Sequence, residues 1–439
     1  MLETIVALAT PPIKSALAIV RLSGSNCFQI VSRFFSRNLK NVNENKIIHG
    51  YIKDNDEIVD EVVLLAYKGP KSFTGEDSVE IISHGSLLIT NKIIELSIKF
   101  GARMAKNGEF TSRSFMNNKL DLIQAESIND LINSDSVESQ KISLMALEGK
   151  TSKLLEPLKK SLGDLLSLIE TNINYPEYTD IEEANYIKIN KVCLDNINYI
   201  NKLINDGEKG LIIKNGVNIA IIGKPNVGKS SLLNAILGEE KAIVTDIKGT
   251  TRDVVEGQYN LDGVILNFFD TAGIRKTKNI IESKGIEKSK DVIKKADIIV
   301  VLLDNNKLDI KDFIKELENK KVIYVINKAD QISDKNQNYI YISALNNDIQ
   351  PLMKEIKNIL NLDSSNFSNP SIANTRQLGI LKNVVEILNK VVMDCKKNTP
   401  IDLLSVNIQG AYLQVLSILG EDHDFDIANE IFSRFCLGK

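Results

Sequence analysis

Apolar positions change their spacing along the chain, and these changes divide it into regions of different secondary structure. Residues 2–118 contain short β-branched runs separated by loops rich in Gly, Pro and Ser. They predict an α+β domain with strands at residues 4–9, 16–22, 61–67 and 78–83. From residue 120 to about 204 the period becomes helical. Two apolar stripes mark it: Leu122, Ala125, Ile128, Leu131 and Ile132, then Leu158, Leu162, Leu165, Leu166 and Ile169.

Beyond residue 216 the pattern alternates strand with helix, which is typical of a doubly wound parallel sheet. The predicted strands are residues 217–222, 264–269, 297–303, 322–326 and 339–342, and their nearly continuous apolar runs favour burial on both faces. A polar linker at 362–370 precedes a return to helical spacing. We therefore expect a multidomain chain: an α+β domain (1–118), an all-α domain in two parts (119–214 and 364–439) and an inserted α/β domain (215–363).

Composition narrows the class of protein. The 439 residues are 43% hydrophobic and carry a formal net charge of -3, so nucleic-acid binding would need a local basic patch or a partner. Cys27, Cys193, Cys395 and Cys436 are dispersed and only three histidines are present, which argues against a zinc site or a disulfide framework. The beginning of the chain has no basic segment, and apolar runs are strand-sized. We expect a cytoplasmic protein without a secretory signal or a membrane span.

The residues 223–230 read Gly-Lys-Pro-Asn-Val-Gly-Lys-Ser and fit the phosphate-binding P-loop pattern between a strand and a helix. Glycines let the backbone curl so that its N–H groups converge on phosphate oxygens, and the helix N-terminus adds positive potential. Lys229 supplies a full positive charge. Ser230 is placed to coordinate Mg²⁺.

Four further motifs follow in order, each expected at a strand end. The first, Gly-Thr-Thr-Arg-Asp at 249–253, contains Thr251, a second Mg²⁺ contact. The second, Asp-Thr-Ala-Gly at 270–273, places Asp270 near the metal shell and Gly273 near a γ-phosphate. The others are Asn-Lys-Ala-Asp at 327–330 and Ser-Ala-Leu at 343–345. Ligands that collect at the carboxyl ends of parallel strands are what this architecture predicts.

Asp330 indicates guanine rather than adenine, because its carboxylate can accept two hydrogen bonds from N–H groups on the Watson–Crick edge of guanine. Lys328 can lie over the base, and the backbone N–H of Ala344 can meet the guanine oxygen.

The hydrolytic step needs another solution than that of Ras-like switches, because Ile274 stands where those proteins have a water-orienting glutamine. Asn226 and backbone carbonyls of residues 245–250 could hold a K⁺ beside the phosphates, and Glu282 could orient the attacking water. The alternatives are that Asn226 only braces the loop and that Glu282 is a solvated charge. Arg252 and Arg275 are competing candidates for a charge-stabilising arginine.

From end to end, the chain resembles the MnmE (TrmE) family of tRNA modification GTPases. The resemblance includes residues 4–12, the Phe-Thr-Gly-Glu-Asp at 73–77, His84-Gly85, residues 108–113 and 118–126, and the C-terminal segment 432–439 with its Cys-Leu-Gly-Lys ending. The sequence departs from the family at residues 12–19, where a Gly-rich stretch is usual, at Asn174 and at Leu437.

The resemblance implies a folate-binding N-terminal domain that forms a homodimer, a helical domain and an inserted Ras-like P-loop GTPase domain. It implies K⁺ ligands at Asn226, Thr245, Ile247 and Thr250, Mg²⁺ ligands at Ser230 and Thr251, and Glu282 as the catalytic residue. Folate contacts match Arg21, Glu80, Lys119 and Lys439, and Cys436 is a possible reaction thiol. The full set of implied GTP contacts is Asn226, Val227, Gly228, Lys229, Ser230, Ser231, Thr245, Asp246, Ile247, Lys248, Gly249, Thr250, Thr251, Asp270, Thr271, Ala272, Gly273, Asn327, Lys328, Asp330, Ser343 and Ala344.

The family acts with the flavoprotein MnmG, in a heterotetramer that brings FAD through that partner. Together they add an aminomethyl or carboxymethylaminomethyl group to carbon 5 of wobble uridine in tRNA, with a 5-formyl- or methylene-tetrahydrofolate as one-carbon donor. Two alternatives share the nucleotide motifs. A ribosome-assembly GTPase often adds a basic G-x-x-G module, whereas the residues beyond 369 predict helices. A scaffold that binds GTP without hydrolysis would not need Thr251, Asp270 and Gly273.

Overall fold

The structure is a computed structural model. It describes residues 3–175, 183–224, 226–239, 242–243, 257–270, 292–304, 317, 320–332, 339–361, 369–422, 425–436 and 438. The chain forms two compact units. The first unit contains Met1–Asp130, Ala146–Asn196 and Glu386–Lys439, and the second unit contains Leu131–Met145 and Ile197–Val385.

A six-stranded sheet organises the N-terminal part of the first unit. Its strands are β1 (Ile5–Leu8), β2 (Ser15–Ser23), β3 (Lys46–Asp54), β4 (Glu57–Tyr67), β5 (Ser78–Gly85) and β6 (Arg103–Met104). Their order is β3-β4-β5-β2-β1-β6, antiparallel except for the β1–β6 pair. The structure thus has strands at the four predicted places, and β3 and β6 in addition.

Strict alternation in the central strands gives this sheet two different faces. One face is buried against the helices α1 (Cys27–Val31) and α2 (Leu87–Lys99), where Leu22, Leu64 and Ile81 meet Ile93 in a continuous core. The opposite face carries apolar side chains that remain accessible: Leu17 is 59% exposed and Ile47 is 77% exposed. One buried face is enough to fix the register of the strands.

After this sheet the chain forms the helices α3 (Glu109–Met116), α4 (Leu122–Ile132), α5 (Val137–Leu147), α6 (Glu156–Asn174) and α7 (Tyr186–Asn215). The division between the two units falls within three of them, α4, α5 and α7. In α6 all five predicted stripe residues are buried, and Pro157 lies in the first turn, where its missing N–H is least costly. The stripe predicted for α4 is wrong at its end, because Ile132 is 49% exposed.

A seven-stranded sheet forms the centre of the second unit. Its strands are β7 (Val217–Ile222), β8 (Ala242–Ile243), β9 (Gly257–Leu261), β10 (Val264–Asp270), β11 (Ile298–Leu303), β12 (Lys321–Ile326) and β13 (Ile340–Tyr341), in the order β13-β12-β11-β7-β10-β9-β8. The five strands that the sequence predicts are parallel. The edge of the sheet formed by β9 and β8 is antiparallel, because β9 runs antiparallel to β10 and β8 runs antiparallel to β9. All residues of β11 are buried, as expected for a strand covered on both faces.

The remaining helices are α8 (Lys229–Leu237) and α9 (Gln350–Leu360) beside this sheet, then α10 (Thr375–Lys396), α11 (Ile401–Leu419) and α12 (Phe425–Ser433). Among the described helices, α11 alone has the length and mean hydropathy, 1.2, of a membrane-crossing segment. Its residues Leu404, Ile408 and Val415 are buried, and α11 packs against α6 in the first unit. A core helix has this same composition, so the feature is weak evidence for a membrane span.

Candidate functional sites

The phosphate-binding loop lies between the end of β7 and the beginning of α8. Gly228 precedes α8 with a φ of +98°, a conformation that favours glycine, and a Cβ on it would collide with the side chain of Asn327. A Cβ on Gly223 would collide with the carbonyl oxygen of Leu302. The spacing of the two glycines therefore follows from how closely the loop approaches β11 and the end of β12.

Lys229, the first residue of α8, is buried. Its Nζ donates hydrogen bonds to the carbonyl oxygens of Gly223 and Lys224, both at 2.8 Å. The ammonium group is thereby held where the loop and the N-terminus of α8 converge. Positive charge and free backbone N–H groups at a helix N-terminus form an anion site. The hydroxyl-bearing residues Ser230 and Ser231 follow in the first turn of α8 and are exposed.

Asn327 connects the phosphate-binding loop to the base-recognition segments. Its side chain is buried, its Nδ2 donates to the carbonyl oxygen of Val227 at 2.9 Å, and its Oδ1 accepts from the backbone N–H of Ala344 at 3.1 Å. Asn327 follows β12, Val227 lies in the loop after β7, and Ala344 follows β13. One side chain thus fixes three strand ends relative to each other.

Asp330 and Ser343 form the pair expected to meet the base. The hydroxyl of Ser343 donates to Oδ1 of Asp330 at 2.7 Å and lowers the pKa of that carboxyl, so the side chain is ionised at neutral pH. An ionised carboxylate is an acceptor only. Lys328 has a φ of +61° and its Nζ donates to the carbonyl oxygen of Asn226 at 3.4 Å, which places the lysine beside the phosphate-binding loop.

Other predicted GTP and metal residues lie outside the described residues. These are Thr245, Asp246, Ile247, Lys248, Gly249, Thr250, Thr251, Thr271, Ala272, Gly273 and Glu282, together with Arg252 and Arg275. Asp270 is the last residue of β10, in register with Ile221 of β7. Asn226 is exposed and has a φ of +65°.

A second group of predicted residues meets on the open face of the N-terminal sheet. Arg21 of β2 and Glu80 of β5 are direct cross-strand partners, with Arg21 Nε 2.8 Å from Glu80 Oε1. The guanidinium lies 5.6 Å from the ring centres of both Phe73 and Phe110. It also donates to the carbonyl oxygen of Gly438 at 3.3 Å, so Arg21 holds the C-terminal segment against the sheet.

A cavity of about 260 Å³ opens at this ion pair; its lining residues are Arg21, Tyr67, Lys71, Ser72, Phe73, Thr74, Ser78 and Glu80. Burial and the neighbouring Glu80 carboxylate raise the pKa of Tyr67, whose hydroxyl donates to Glu80 Oε2 at 3.4 Å. Tyr67 and Lys71 are cavity residues that the sequence analysis missed. The turn-rich loop at 69–77 was the available signal, because binding residues concentrate on such loops.

The other predicted folate residues differ in how close they lie to this cavity. Lys119 is exposed and its Nζ donates to the carbonyl oxygen of Pro70 at 3.1 Å, at the outer end of the loop that lines the cavity. Cys436 is exposed, and its carbonyl oxygen accepts from the backbone N–H of Gly108 at 3.3 Å. Phe432 packs 6.0 Å from Phe115, ring centre to ring centre, which anchors the C-terminal segment on α3. Lys439 lies outside the described residues.

Comparison with known proteins finds relatives that match along the whole chain. A family model described as the MnmE helical domain matches residues 122–436, and one described as the N-terminus of the GTP-binding protein TrmE matches residues 4–119. The tRNA modification GTPase MnmE of Malacoplasma penetrans is 44% identical over 445 residues, with 100% of both chains covered. That of Fervidobacterium nodosum is 40% identical over 455 residues, covering 100% of this chain and 98% of the relative.

Among solved structures, Era from Aquifex aeolicus is 28% identical, with a TM-score of 0.26, over 39% of this chain and 66% of that chain. The predicted fold class, with an α+β N-terminal domain, a helical domain and a P-loop GTPase domain, is confirmed. The two family models and the full-length relatives show that the chain belongs to the MnmE (TrmE) family of tRNA modification GTPases.

Proposed function

We propose that this chain is a K⁺-dependent GTP hydrolase that works with the flavoprotein MnmG. The product is an aminomethyl or carboxymethylaminomethyl group on carbon 5 of wobble uridine in tRNA, with a tetrahydrofolate derivative as one-carbon donor. The GTPase part of the proposal rests on the two hydrogen bonds of the Asn327 side chain, to the Val227 carbonyl and from the Ala344 N–H, which we call the Asn327 clamp. The clamp connects the phosphate-binding loop, with its buried lysine, to the segment that carries Asp330. Phosphate binding and base recognition therefore belong to one site.

Selection of guanine rests on the Asp330 carboxylate. Its Oδ1 already accepts the Ser343 hydroxyl, which orients the carboxylate, while lone pairs on both oxygens can still accept N–H groups of a base. Guanine offers two such donors on its Watson–Crick edge. Adenine cannot satisfy this charged acceptor, and a polar group left unpaired is what gives such sites their discrimination.

The metal ligands fit hard cations as far as the described residues go. Ser230 presents an exposed hydroxyl in the first turn of α8, and oxygen donors are what Mg²⁺ requires. Asn226 is exposed in the phosphate-binding loop with a side-chain amide oxygen for K⁺. A monovalent cation there would supply positive charge beside the phosphates. Thr251, the K⁺ ligands Thr245, Ile247 and Thr250, and the catalytic Glu282 complete this proposal.

The cavity at Arg21 and Glu80 fits the ring end of a folate. Its 260 Å³ lies below the roughly 300–1,000 Å³ of sites that enclose drug-sized ligands, so only part of such a ligand would be enclosed. The Glu80 carboxylate can accept N–H groups of a pterin, and Tyr67 and Phe73 supply aromatic surface. Lys119, at the outer end of the loop, and Lys439 suit the carboxylates of the glutamate tail. Cys436 is proposed as a thiol for the reaction.

The accessible sheet face supports the proposed homodimer. Leu17, Ile47 and Ile82 lie on the face opposite to the α1–α2 core, together with Leu65, and the two most exposed are 59% and 77% accessible. Apolar side chains grouped on one open face mark an association surface. The same face carries Arg21 and Glu80, so a second copy of the chain is the occupant that we propose. Cytoplasmic location, the MnmG heterotetramer and FAD supplied by that partner complete the proposal.

Nucleoside analysis of tRNA from cells that lack this protein tests the proposed function. The carbon-5 substituents of wobble uridine should disappear and should return when the chain is restored. Intact modification in the deletion strain would refute the tRNA assignment. GTP turnover by the purified protein in K⁺ and in Na⁺ tests the mechanism separately, because equal rates in both salts would remove the K⁺ site.

A further inference from the structure

The cavity at Arg21 and Glu80 has one wall made of irregular chain. Lys71, Ser72, Phe73 and Thr74 line it, and residues 68–77 belong to neither a strand nor a helix. Backbone carbonyls in such a segment have no ladder to pair with and need donors from elsewhere. The position of the wall, and hence the shape of the cavity, depends on those donors.

Some of these donors come from Asn45, from the N–H of Gly24 and from the loop itself, and others come from the end of α3 and the turn after it. Four side chains there each reach a different point of the loop: Arg113 NH1 to Glu76 Oε2 at 3.0 Å, Ser114 Oγ to the Phe73 carbonyl at 2.8 Å, Asn117 Nδ2 to the Thr74 carbonyl at 2.7 Å, and Lys119 Nζ to the Pro70 carbonyl at 3.1 Å. Three of the four bonds end on backbone carbonyls. The loop is therefore held from one side by a single short segment of chain.

The inner anchors of this segment are structural. Arg113 is only 2% exposed and pairs with both Glu76 and Glu109, so its removal would break two ion pairs at a buried position. Ser114 is buried as well. Asn117 differs, because it is exposed and follows the last turn of α3. Its hydrogen bond can be removed without opening the core.

Asn117 also packs closely against the backbone of the loop at Gly75. Gly75 has a φ of +79°, and a Cβ placed on it would lie 3.1 Å from Cβ of Asn117. The Thr74 carbonyl that Asn117 holds belongs to a cavity-lining residue, and it is adjacent to Phe73, the aromatic neighbour of Arg21. A shift of this carbonyl would move both side chains relative to Arg21 and Glu80.

We propose that Asn117 is a positioning residue for the folate cavity: its side-chain amide holds the Thr74 carbonyl and, together with Ser23 on the Thr74 hydroxyl and Ser114 on the Phe73 carbonyl, sets where these two residues stand against Arg21. This inference rests on the proposed function of the cavity as a folate site. The residue itself need not touch the ligand.

The test measures binding of 5-formyltetrahydrofolate to the full-length protein by calorimetry. Asn117→Asp keeps the shape of the side chain but removes the donor, and Asn117→His restores a ring N–H at a similar distance from Cβ. We expect about three- to tenfold weaker binding for Asn117→Asp, recovery in Asn117→His at a pH where the imidazole is neutral, and unchanged GTP turnover in all variants. Asn38→Asp is the matched control, because Asn38 is exposed and its Oδ1 accepts the backbone N–H of Lys40, a hydrogen bond that a carboxylate keeps.

The outcomes separate the two proposals. Equal affinity of the wild type and Asn117→Asp would overturn the positioning role and leave the folate cavity in place. A loss in Asn117→Asp that Asn117→His does not recover would also overturn it, because the donor would then not be the cause. If the wild-type protein binds no folate, the assignment of the cavity fails, and the positioning role fails with it.

Discussion

Asn327 offers the sharpest perturbation of the nucleotide site, because its two amide atoms perform separable tasks. In Asn327→Asp the side chain keeps its shape and Oδ1 can still accept the N–H of Ala344. The donor to the Val227 carbonyl is replaced by a carboxylate oxygen, which repels that carbonyl. The substitution therefore breaks the link to the phosphate-binding loop and spares the link to the segment after β13.

The expected magnitude follows from burial. A buried acceptor left without its donor costs about 1–3 kcal/mol, and Asn327 is only 3% exposed. At about 1.4 kcal/mol for each tenfold change, the closed arrangement of the loop should become roughly 5- to 150-fold less favourable. The same factor should appear in nucleotide affinity, chiefly as faster dissociation, because the loop must be closed to hold the phosphates.

Stopped-flow dissociation of a fluorescent GTP analogue measures this effect. Asn267→Asp is a suitable control. The Nδ2 of Asn267 donates to Asn218 Oδ1 at 3.1 Å, within the same sheet but at the opposite end of β7 from the loop. Dissociation from Asn267→Asp should match the wild type within about twofold. An unchanged dissociation rate in Asn327→Asp would show that the loop does not depend on this clamp.

Three further predictions concern other parts of the chain. Asp330→Asn should shift nucleotide preference from GTP to xanthosine triphosphate, measured by competition binding; undiminished GTP affinity would refute the assignment of the carboxylate. Ile82→Asp should convert the proposed homodimer to monomer in analytical ultracentrifugation, whereas Ile187→Asp, on an 81% exposed residue of α7, should not. Burial raises the pKa of Glu109, but hydrogen bonds from Arg103, the Lys106 N–H and Arg113 outweigh it and lower the pKa from 4.5 to about 2. This carboxylate should therefore stabilise the first unit fully above pH 4.5 and lose its contribution as the pH falls towards 2, and Glu109→Gln should flatten that part of a pH-dependent unfolding curve.

The nucleotide site could be predicted from the sequence to a large extent because backbone geometry imposes its pattern. Gly223 lies too close to Leu302, and Gly228 too close to Asn327, for either position to hold a side chain. The spacing of the two glycines in the sequence therefore reflects these close contacts in the fold. The carboxyl ends of parallel strands then bring Lys229 and Asp330 to the same edge. The antiparallel edge was missed although Asp262-Gly263, both with positive φ, is a typical two-residue hairpin turn between β9 and β10.

The cavity at Arg21 and Glu80 could not be predicted from spacing alone, because strand register, and not proximity in the sequence, brings its residues together. Arg21 and Glu80 are 59 positions apart and become neighbours only when β2 pairs with β5. A shift of one residue would turn Glu80 to the other face. Only the resemblance to a known family marked these two residues, and the sequence carries no sign that Tyr67 faces the same cavity.

Through Arg21, the pairing of β2 with β5 also affects the C-terminal segment. Its guanidinium is shared between Glu80, which lines the cavity, and the carbonyl of Gly438, which belongs to the C-terminal segment. A ligand that forms hydrogen bonds with Glu80 changes how the Arg21 guanidinium is shared between Glu80 and the Gly438 carbonyl. Any such change acts on the C-terminal segment, which also carries Cys436. Because Arg21 also packs near the rings of Phe73 and Phe110, it has little freedom to follow either partner alone. We therefore expect occupancy of the cavity and placement of the Cys436 thiol to be coupled through the Arg21 side chain. Arg21→Lys keeps the positive charge but lacks the several N–H donors of a guanidinium. This substitution should weaken the coupling and leave GTP hydrolysis unchanged.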